Sequence, residues 1–228
     1  MDRPFVFMKM AMTADGKITS AGREYPRFTS ETDRKTMDRL RAEADAVLIG
    51  AGTLRSDDPP LYVRDPEMAA YRLSLGKPPE LTTIVLTARV DLDPNSRFFR
   101  ERAEVGRRIV ATVEDGPEER LSTLAGRAEV VRAGRGSVDL PKLLRILKER
   151  GIERLLVEGG GELNWGFVRD DLLDELYVTV APCLLGGRTA PTLVEGDGFS
   201  MNLRRRLALV DLQRVGDELY CHYRVIRA

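Results

Sequence analysis

The chain has 228 residues, 43% of them hydrophobic, and its 36 Lys and Arg are balanced by 36 Asp and Glu. That length suits one large α/β domain with a sizeable core, and we expect residues 1–228 to form a single domain. Zero net charge argues against nucleic acid as a partner, and no apolar run reaches the 18 residues of a membrane span. Since no signal peptide precedes Lys9 either, we expect a cytoplasmic protein without membrane contact.

The cysteines and the histidine exclude other classes of site. Cys183 and Cys221 lie far apart beside apolar strand residues, which predicts reduced thiols in the core of a cytoplasmic protein. His222 is the single histidine and has no zinc-site spacing to either cysteine, so no metal site is expected.

Strands and helices alternate along most of the chain. The predicted strands are 5–12, 45–49, 81–86, 108–113, 128–131, a segment around Leu155, and 175–181. The predicted helices begin at Thr29 or Ser30, span 66–75 and 117–124, run from the cap Asp139 to Gly151, and follow Leu163. Such alternation predicts an α/β fold with a largely parallel sheet. Segments 207–215 and 218–226 flank Gly216-Asp217 and predict a C-terminal antiparallel hairpin.

One stretch has the order of a ligand-binding turn. Leu155-Leu156-Val157 is an apolar strand that leads into Glu158, then Gly159-Gly160-Gly161, then a segment with helical spacing. Glycines let a ligand approach the backbone, and the free N–H groups of a first helical turn suit an anionic group such as a phosphate. The alternative is a glycine-rich connection that only packs closely, since short glycine motifs give many false positives.

A second stretch, residues 50–59, also follows a buried strand, so we expect it at the same rim of the sheet. Its alternative interpretation is a plain turn stiffened by Asp58-Pro59, with Thr53 capping a short helix. The turn at Gly159 to Gly161 does not fit a Rossmann fingerprint, because Asn164 stands where the third glycine is required. No P-loop is present, and a hydrolase triad has no support from one histidine without a GxSxG motif.

Six segments taken together resemble the riboflavin-biosynthesis reductases. They are Met12 to Ile18, Leu40 to Ala46, Gly50 to Thr53 with Asp57-Asp58-Pro59, Leu61 to Arg64, Val157 to Gly161, and Ala181-Pro182 with Gly186-Gly187. The resemblance implies a dihydrofolate-reductase-like three-layer fold and a homodimer. It also implies that NADPH delivers hydride to C1′ of a ribosylaminopyrimidine 5′-phosphate, which becomes the ribitylamino product.

The resemblance also implies roles for individual residues. Thr53, Asp57 and the turn Gly159, Gly160, Gly161 and Glu162 would contact the cofactor, with Val131 at its border. Lys17, Arg41, Leu61, Arg64 and Glu158 would face the substrate.

The residue types suit this chemistry. A protonated imine accepts hydride well, and a carboxyl group such as Glu158 or Asp57 could shuttle its proton, with Lys17 nearby. Arg41 and Arg64 suit a phosphate, because guanidinium groups bind it bidentately. Arg41, Arg64 and Lys17 could equally be ordinary surface charges, whereas a carboxylate ending an apolar strand is costly to bury without a role or a partner.

Three questions stay open at this point. Family members commonly show Asp-Ser and a basic residue after the third strand, whereas this chain has Thr87-Ala88-Arg89. In the family that serine is thought to bind the adenosine end of the cofactor, so Thr87 or Arg89 would have to make this contact instead. NADH is therefore a possible alternative to NADPH.

The alternative substrates are the deaminated pyrimidine and a pterin or dihydrofolate. An alternative of another class is a regulator that binds nucleotide without turnover. Because no zinc deaminase precedes the reductase segments, we expect the still-aminated substrate and an archaeal setting.

Overall fold

A computed structural model of the chain describes residues 2–23 and 28–227, which form two compact units. The first unit comprises Met1–Phe5 and Asp38–Leu156, and the second comprises Val6–Met37 and Val157–Ala228. The strands are β1 (Phe5–Thr13), β2 (Ala46–Gly50), β3 (Thr82–Leu86), β4 (Arg108–Thr112), β5 (Glu129–Arg132), β6 (Arg154–Val157), β7 (Glu175–Ala181), β8 (Arg206–Val215) and β9 (Glu218–Ile226). The helices are α1 (Glu31–Glu43), α2 (Ala51–Asp57), α3 (Pro66–Ser74), α4 (Arg97–Arg100), α5 (Glu118–Ser122), α6 (Leu140–Glu149) and α7 (Gly161–Arg169).

The first unit is built on a parallel sheet. β2 pairs with β3, β3 with β4 and β4 with β5, all in parallel, and the register aligns Gly50 with Leu86, Leu86 with Ala111, and Ala111 with Val131. The apolar middle of each central strand is fully buried, as expected for a parallel sheet covered on both faces: Ala46 to Ile49 of β2, Ile84 and Val85 of β3, and Ile109 to Ala111 of β4. Since the strands run the same way, the segments after β2, β3 and β5 all leave from one rim.

Helix α6 shows how the sequence determines a local element of this unit. Its apolar residues recur at helical spacing, and all four of Leu140, Leu143, Leu144 and Leu147 are buried. Asp139 caps the N-terminus by accepting a hydrogen bond from the Lys142 backbone N–H at 2.8 Å. The helix ends before Gly151, which has a φ of +85°.

Helix α3 differs from the predicted surface helix because it carries a buried arginine. Arg72 is 1% exposed. Its guanidinium donates to backbone carbonyls that are far apart in sequence, namely those of Arg41, Ala42, Ala44, Pro78 and Glu80. The cation thus satisfies hydrogen-bond acceptors at the end of α1 and in the segment before β3. Burial lowers the pKa of Arg72, and the charges of Asp45 and Glu80 oppose that shift.

The second unit mixes parallel and antiparallel pairing. β1 pairs with β7 in parallel, whereas β9 runs antiparallel to β7 and β8 runs antiparallel to β9. The β8–β9 hairpin turns at Gly216-Asp217, as predicted, and Gly216 adopts a φ of +61° there. A bulge interrupts β8 between Leu209 and Asp211.

The predicted α/β class, the mostly parallel pairing and the C-terminal hairpin are confirmed. Two local expectations are wrong. Residues 51–57 form helix α2 rather than a loop, and Cys183 and Cys221 are half-buried free thiols rather than core residues. Helix α4 and a short 3-10 turn at Met201–Leu203 were not predicted. Among the described residues, no helix combines the length and apolar character that crossing a bilayer requires.

Candidate active site

The predicted cofactor residues of the first unit lie at its carboxyl rim. Helix α2 follows β2 without a loop, and Thr53 and Asp57 lie one helical turn apart on it, both half-buried. Gly52 beside them is exposed, and a Cβ added there would meet nothing within 4 Å. The first turn of α2 is therefore open to a ligand that approaches its backbone.

The carboxyl group of Asp57 has a pKa above its ordinary value. Burial raises the pKa of its carboxyl group, and a hydrogen bond from Ser56 opposes that shift only in part. A carboxyl group with a raised pKa keeps its proton to a higher pH than an ordinary aspartate does, which favours a role as a general acid.

In the segment after β3, only Arg89 among residues 87–89 is exposed. Thr87 is buried, and its hydroxyl accepts a hydrogen bond from the Val90 backbone N–H at 3.0 Å. The Arg89 side chain is exposed and can contact a ligand at the surface of the rim, while Ala88 is half-buried. Val131 lies inside β5 rather than at its end, and its side chain is 2% exposed, so it contributes packing behind this rim.

The predicted substrate residues of the first unit gather around a carboxylate that sequence reasoning missed. Asp38 is buried on α1, with one oxygen 3.9 Å from Arg41 and 3.6 Å from Nε of Arg64. Its other oxygen accepts from the Asp65 backbone N–H at 3.2 Å.

Arg41 itself is buried and donates to the Tyr62 carbonyl at 3.0 Å, whereas the Arg64 side chain stays 24% exposed. Leu61 is buried beside a small cavity that Phe98 and Arg108 also line. The i, i+3 spacing of Asp38 and Arg41 was a signal available in the sequence.

Glu158 and the glycine turn lie in the second unit. Glu158 is half-buried and follows the last residue of β6. Gly159 has a φ of +87°, and the Gly159–Gly160 peptide bond is cis. Gly160 is the N-cap of α7, and Glu162 is exposed in its first turn.

Internal packing explains two of the three glycines. A Cβ on Gly159 would lie 2.9 Å from Sδ of Met10, and one on Gly161 would lie 2.8 Å from the Thr192 carbonyl and would overlap Cγ of Glu195. The close-packing interpretation therefore accounts for Gly159 and Gly161, whatever ligand the turn also binds.

A buried polar cluster lies behind Glu158 in the same unit. The ammonium of Lys9 is 1% exposed and donates to Asp33 at 2.7 Å, to Thr179 at 2.9 Å and to the Met10 carbonyl at 3.0 Å. Burial lowers the pKa of Lys9, while the charges of Asp33, Glu158 and Glu218 oppose that shift. A lysine in an otherwise apolar strand was the sequence signal for this cluster.

Lys17 stands among hydrogen bonds that fix its loop. Its ammonium donates to the Ala190 carbonyl at 3.0 Å, and its backbone N–H donates to the Thr13 hydroxyl at 3.0 Å. Asp15 ties the same loop to the backbone N–H groups of Leu185 and Gly186. These contacts position Lys17 and leave its ammonium half-buried rather than fully solvated.

Each unit thus brings part of the predicted set together. The first collects Thr53, Asp57, Thr87 and Arg89 after β2 and β3, and Arg41 with Arg64 around Asp38. The second joins Glu158 to the glycine turn. Within residues 2–23 and 28–227, no group of three or more His, Cys, Asp or Glu side chains has the arrangement of a metal site.

Comparison with known proteins decides the family. The family model described as RibD C-terminal domain matches residues 4–221. The chain belongs to this family. A relative of this RibD C-terminal domain in Archaeoglobus fulgidus is named 2,5-diamino-6-ribosylamino-4(3H)-pyrimidinone 5′-phosphate reductase. It is 35% identical over 94% of this chain and 95% of its own length. A relative of the same name in Methanothermobacter thermautotrophicus is 36% identical over 98% of this chain and 99% of its own.

The predicted family is therefore confirmed, and the predicted oxidoreductase class agrees with both names. Solved structures support the fold of this RibD C-terminal domain. Acinetobacter baumannii RibD matches with a TM-score of 0.80 at 24% identity, over 100% of this chain and 59% of that one. Dihydrofolate reductase from Enterococcus faecalis matches with a TM-score of 0.52 at 14% identity, over 97% and 96% of the two chains. The predicted dihydrofolate-reductase-like fold is confirmed.

Proposed function

We propose that the chain reduces 2,5-diamino-6-(ribosylamino)-4(3H)-pyrimidinone 5′-phosphate to the ribitylamino compound of riboflavin biosynthesis, with NADPH as hydride donor. The observation that carries this proposal is the end-to-end similarity to two relatives named for that reductase. We further propose that residues 1–228 act as one reductase domain, as a homodimer in the cytoplasm. Two free cysteines support a reducing compartment.

The chemistry requires one hydride and one proton. Opening of the ribosylamine ring breaks the C1′–O4′ bond, moves a proton to O4′ and leaves an imine between C1′ and nitrogen. Protonation of that nitrogen makes C1′ a better acceptor, and hydride addition then gives the secondary amine. The nicotinamide cofactor, when bound, supplies the hydride, so the protein's part is to position the reactants and to move protons.

We assign the proton transfer to carboxyl groups. Glu158 is half-buried after β6, and the Lys9 ammonium interacts with its charge inside the same unit. Asp57 is the second candidate, because burial raises its pKa. Lys17, which is oriented by its hydrogen bond to Ala190, is assigned to the substrate. These roles need neither a histidine nor a metal ion.

The cofactor assignment rests on the open rim of the first unit. Thr53 and Asp57 offer a hydroxyl and a carboxyl group on one face of α2, and the space beside Gly52 is free. Arg89, being exposed, is the cation available to an adenosine-side phosphate, whereas the Thr87 hydroxyl already accepts from Val90. For the turn at Gly159, Gly160, Gly161 and Glu162 in the second unit, a cofactor contact is proposed from the family resemblance.

The phosphate assignment rests on Arg41 and Arg64. Both guanidinium groups approach the carboxylate of Asp38, at 3.9 Å for Arg41 and 3.6 Å for Arg64, so two phosphate-binding side chains are held at one place. Arg64 is the more exposed of the two and is the one that a phosphate can reach first. Leu61 supplies apolar surface next to Tyr62 in the same segment.

The test is an assay of purified protein by loss of NADPH absorbance. The aminated pyrimidine phosphate, its deaminated counterpart and dihydrofolate are supplied in turn, each with NADPH and with NADH. Turnover fastest with the aminated compound and NADPH supports the proposal. Turnover with dihydrofolate alone would reassign the substrate, and tight NADPH binding without turnover on any compound would leave a nucleotide-binding regulator.

A further inference from the structure

A long irregular segment follows β7 in the second unit. Residues 182–200 form neither helix nor strand, apart from one isolated bridge between Thr192 and Lys17. Loops longer than about 12–15 residues are uncommon in compact domains, and those that occur usually serve a functional site. Within this segment, residues 190–195 are buried or half-buried, so this part is packed against the rest of the unit.

One side of the 190–195 segment binds the first turn of α7. The side-chain amide of Asn164 donates through Nδ2 to the Leu193 carbonyl at 2.7 Å. The backbone N–H of Glu195 donates to the Gly161 carbonyl at 3.1 Å. These two hydrogen bonds fasten the segment to the helix that begins at the glycine turn.

The other side of the segment binds the loop that carries Lys17. The Lys17 ammonium donates to the Ala190 carbonyl at 3.0 Å, and the Ile18 backbone N–H donates to the Pro191 carbonyl at 3.0 Å. Leu193 follows Ala190 and Pro191 closely along the chain. A displacement of Leu193 would therefore be passed on to the hydrogen bonds of Lys17 and Ile18.

An internal brace joins the two sides of the segment. Oε1 of Glu195 accepts hydrogen bonds from the backbone N–H of Thr192 at 2.5 Å and from its hydroxyl group at 2.7 Å. The bond from the backbone and the bond from the hydroxyl group both lower the pKa of the Glu195 carboxyl group. A chain of hydrogen bonds of this kind can carry a shift from one side of the segment to the other.

Asn164 has a cost that its bond to Leu193 explains. The residue is 0% exposed, and its buried Oδ1 accepts no hydrogen bond from any residue that the structure describes. A buried acceptor without a partner costs free energy, whereas an apolar side chain of similar shape would avoid that cost. Local costs of this kind are expected where a residue serves a functional site.

We propose that Asn164 is a positioning residue, which acts through Leu193 and the 190–195 segment to hold Lys17 in place relative to the glycine turn. The inference rests on the proposed function, in which Lys17 faces the substrate and the glycine turn contacts the cofactor. Hydride transfer needs both reactants in one geometry, and a misplacement of about 1 Å can slow an enzyme about 10²-fold.

The first test needs no substrate. Asn164→Ala removes the donor to Leu193, and hydrogen exchange followed by NMR compares the variant with the wild type. The amide of Ile18, on the far side of the segment, should exchange about tenfold faster, the usual effect of one lost hydrogen bond, while amides of β1 keep their rates. The control is Asn202→Ala, which changes an exposed asparagine in the 3-10 turn and should leave Ile18 unaffected.

An Ile18 rate that does not change, or that rises only in parallel with β1, would overturn the proposal. If Asn164→Ala fails to fold, Lys17→Met decides, because coupling between two sites is reciprocal. Loss of the bond to Ala190 should then speed exchange of the Glu195 amide, and an unchanged rate there would equally overturn the proposal.

The second test is a double-mutant cycle on kcat/KM. Asn164→Ala should lower kcat/KM about ten- to hundredfold in the wild type. In Lys17→Met the group to be positioned is already lost, so the same change should lower kcat/KM by less than about threefold. A smaller fraction of folded protein would lower both values equally, so equal losses would contradict the positioning role.

The two tests separate this inference from the proposed reaction. A chain that shows the expected exchange rates but reduces nothing would remove only the reaction. A chain that reduces the pyrimidine with an Ile18 rate indifferent to Asn164→Ala would remove only the positioning role.

Discussion

At the scale of single residues, Glu158 has the most direct consequence for activity. Glu158→Gln removes a group that can exchange a proton while keeping its shape. We expect turnover to fall about 10²- to 10⁴-fold, the usual contribution of a positioned acid or base. NADPH affinity should change much less than turnover, because Glu158 is assigned to proton transfer and the substrate rather than to the cofactor. Steady-state kinetics and fluorescence titration of NADPH measure the two effects.

The control for that variant is Glu149→Gln, since Glu149 is an exposed carboxylate on α6. It should match the wild type in both measurements. A Glu158→Gln variant that loses NADPH affinity but keeps its turnover would reassign Glu158 to cofactor binding.

Arg64 tests the phosphate assignment. Arg64→Ala removes the more exposed cation beside Asp38 and should raise KM for the phosphorylated pyrimidine about ten- to hundredfold, the loss expected for a charged hydrogen bond. The value of kcat should change little, because the contact is remote from C1′. Arg39→Ala on α1 removes an exposed arginine paired with Glu43 and should leave KM as it is. Equal KM values for Arg64→Ala and the wild type would exclude Arg64 from phosphate binding.

Asp33 tests the buried cluster behind Glu158. Asp33→Asn leaves the Lys9 ammonium without its counterion, and breaking such a buried pair costs about 3–5 kcal/mol of unfolding free energy. Urea denaturation followed by circular dichroism measures this loss. Glu31→Gln in the same turn of α1 breaks only the exposed pair with Arg34 and should cost less than about 1 kcal/mol. Similar losses for both variants would show that the cluster adds no special stability.

At the scale of elements, two glycines at helix N-termini should respond in opposite ways to the same change. Gly161→Ala at the start of α7 adds a Cβ that overlaps Glu195 and approaches the Thr192 carbonyl, so it should cost about 1–3 kcal/mol. Gly52→Ala in α2 meets open space and should stabilise the protein by up to about 1 kcal/mol. Thermal unfolding of the two variants provides the comparison, and a shift in the same direction for both would contradict the packing argument.

Elements with a strong local signal could be predicted, and elements defined by distant contacts could not. The hairpin around Gly216-Asp217 and helix α6 after Asp139 were found from turn chemistry and apolar spacing alone. Helix α2 was read as a loop because Gly52 has low helix propensity and Asp58-Pro59 follows closely.

The candidate site shows the same limit. The residues at the ends of β2 and β6 could be placed, because strand ends meet ligands in α/β sheets. The ionic partners of Arg64 and Lys9 could not be predicted. Asp38 is 26 residues from Arg64 and Asp33 is 24 residues from Lys9 along the chain, so only folding brings each pair together.

At the scale of the whole molecule, the free energy of unfolding should decline at both low and high pH. Hydrogen bonds from Thr13, Gly186 and Leu185 lower the pKa of Asp15 from 3.8 to about 2. Burial alone would raise the pKa of the Asp33 carboxyl group, but the charge and hydrogen bond of Lys9 outweigh burial and hold this pKa below 3.8. Such groups stabilise the fold above their ordinary pKa and lose that contribution as the pH falls from about 4 to about 2.

On the alkaline side, burial and the hydrogen bond to Glu218 raise the pKa of Tyr220 from 10.0 to about 12. Its contribution is present below pH 10 and is lost as the pH rises towards 12. Urea midpoints measured across pH should therefore decline on both sides. Replacing Tyr220 by Phe should flatten only the alkaline limb, and an unchanged alkaline decline would assign it to other groups.

Arg72 bears on how the segment around α3 tolerates changes in length. Residues 66–80 look like a surface excursion in which insertions and deletions would normally be accepted. Yet one guanidinium binds carbonyls before that excursion, at residues 41, 42 and 44, and carbonyls at its end, at residues 78 and 80. Adding or removing a residue between 73 and 80 would move the carbonyls of Pro78 and Glu80 out of hydrogen-bonding distance of Arg72. A lysine at position 72 has too few N–H donors to replace the guanidinium group. The excursion is therefore a segment of fixed length, in which side chains can vary but the number of residues cannot.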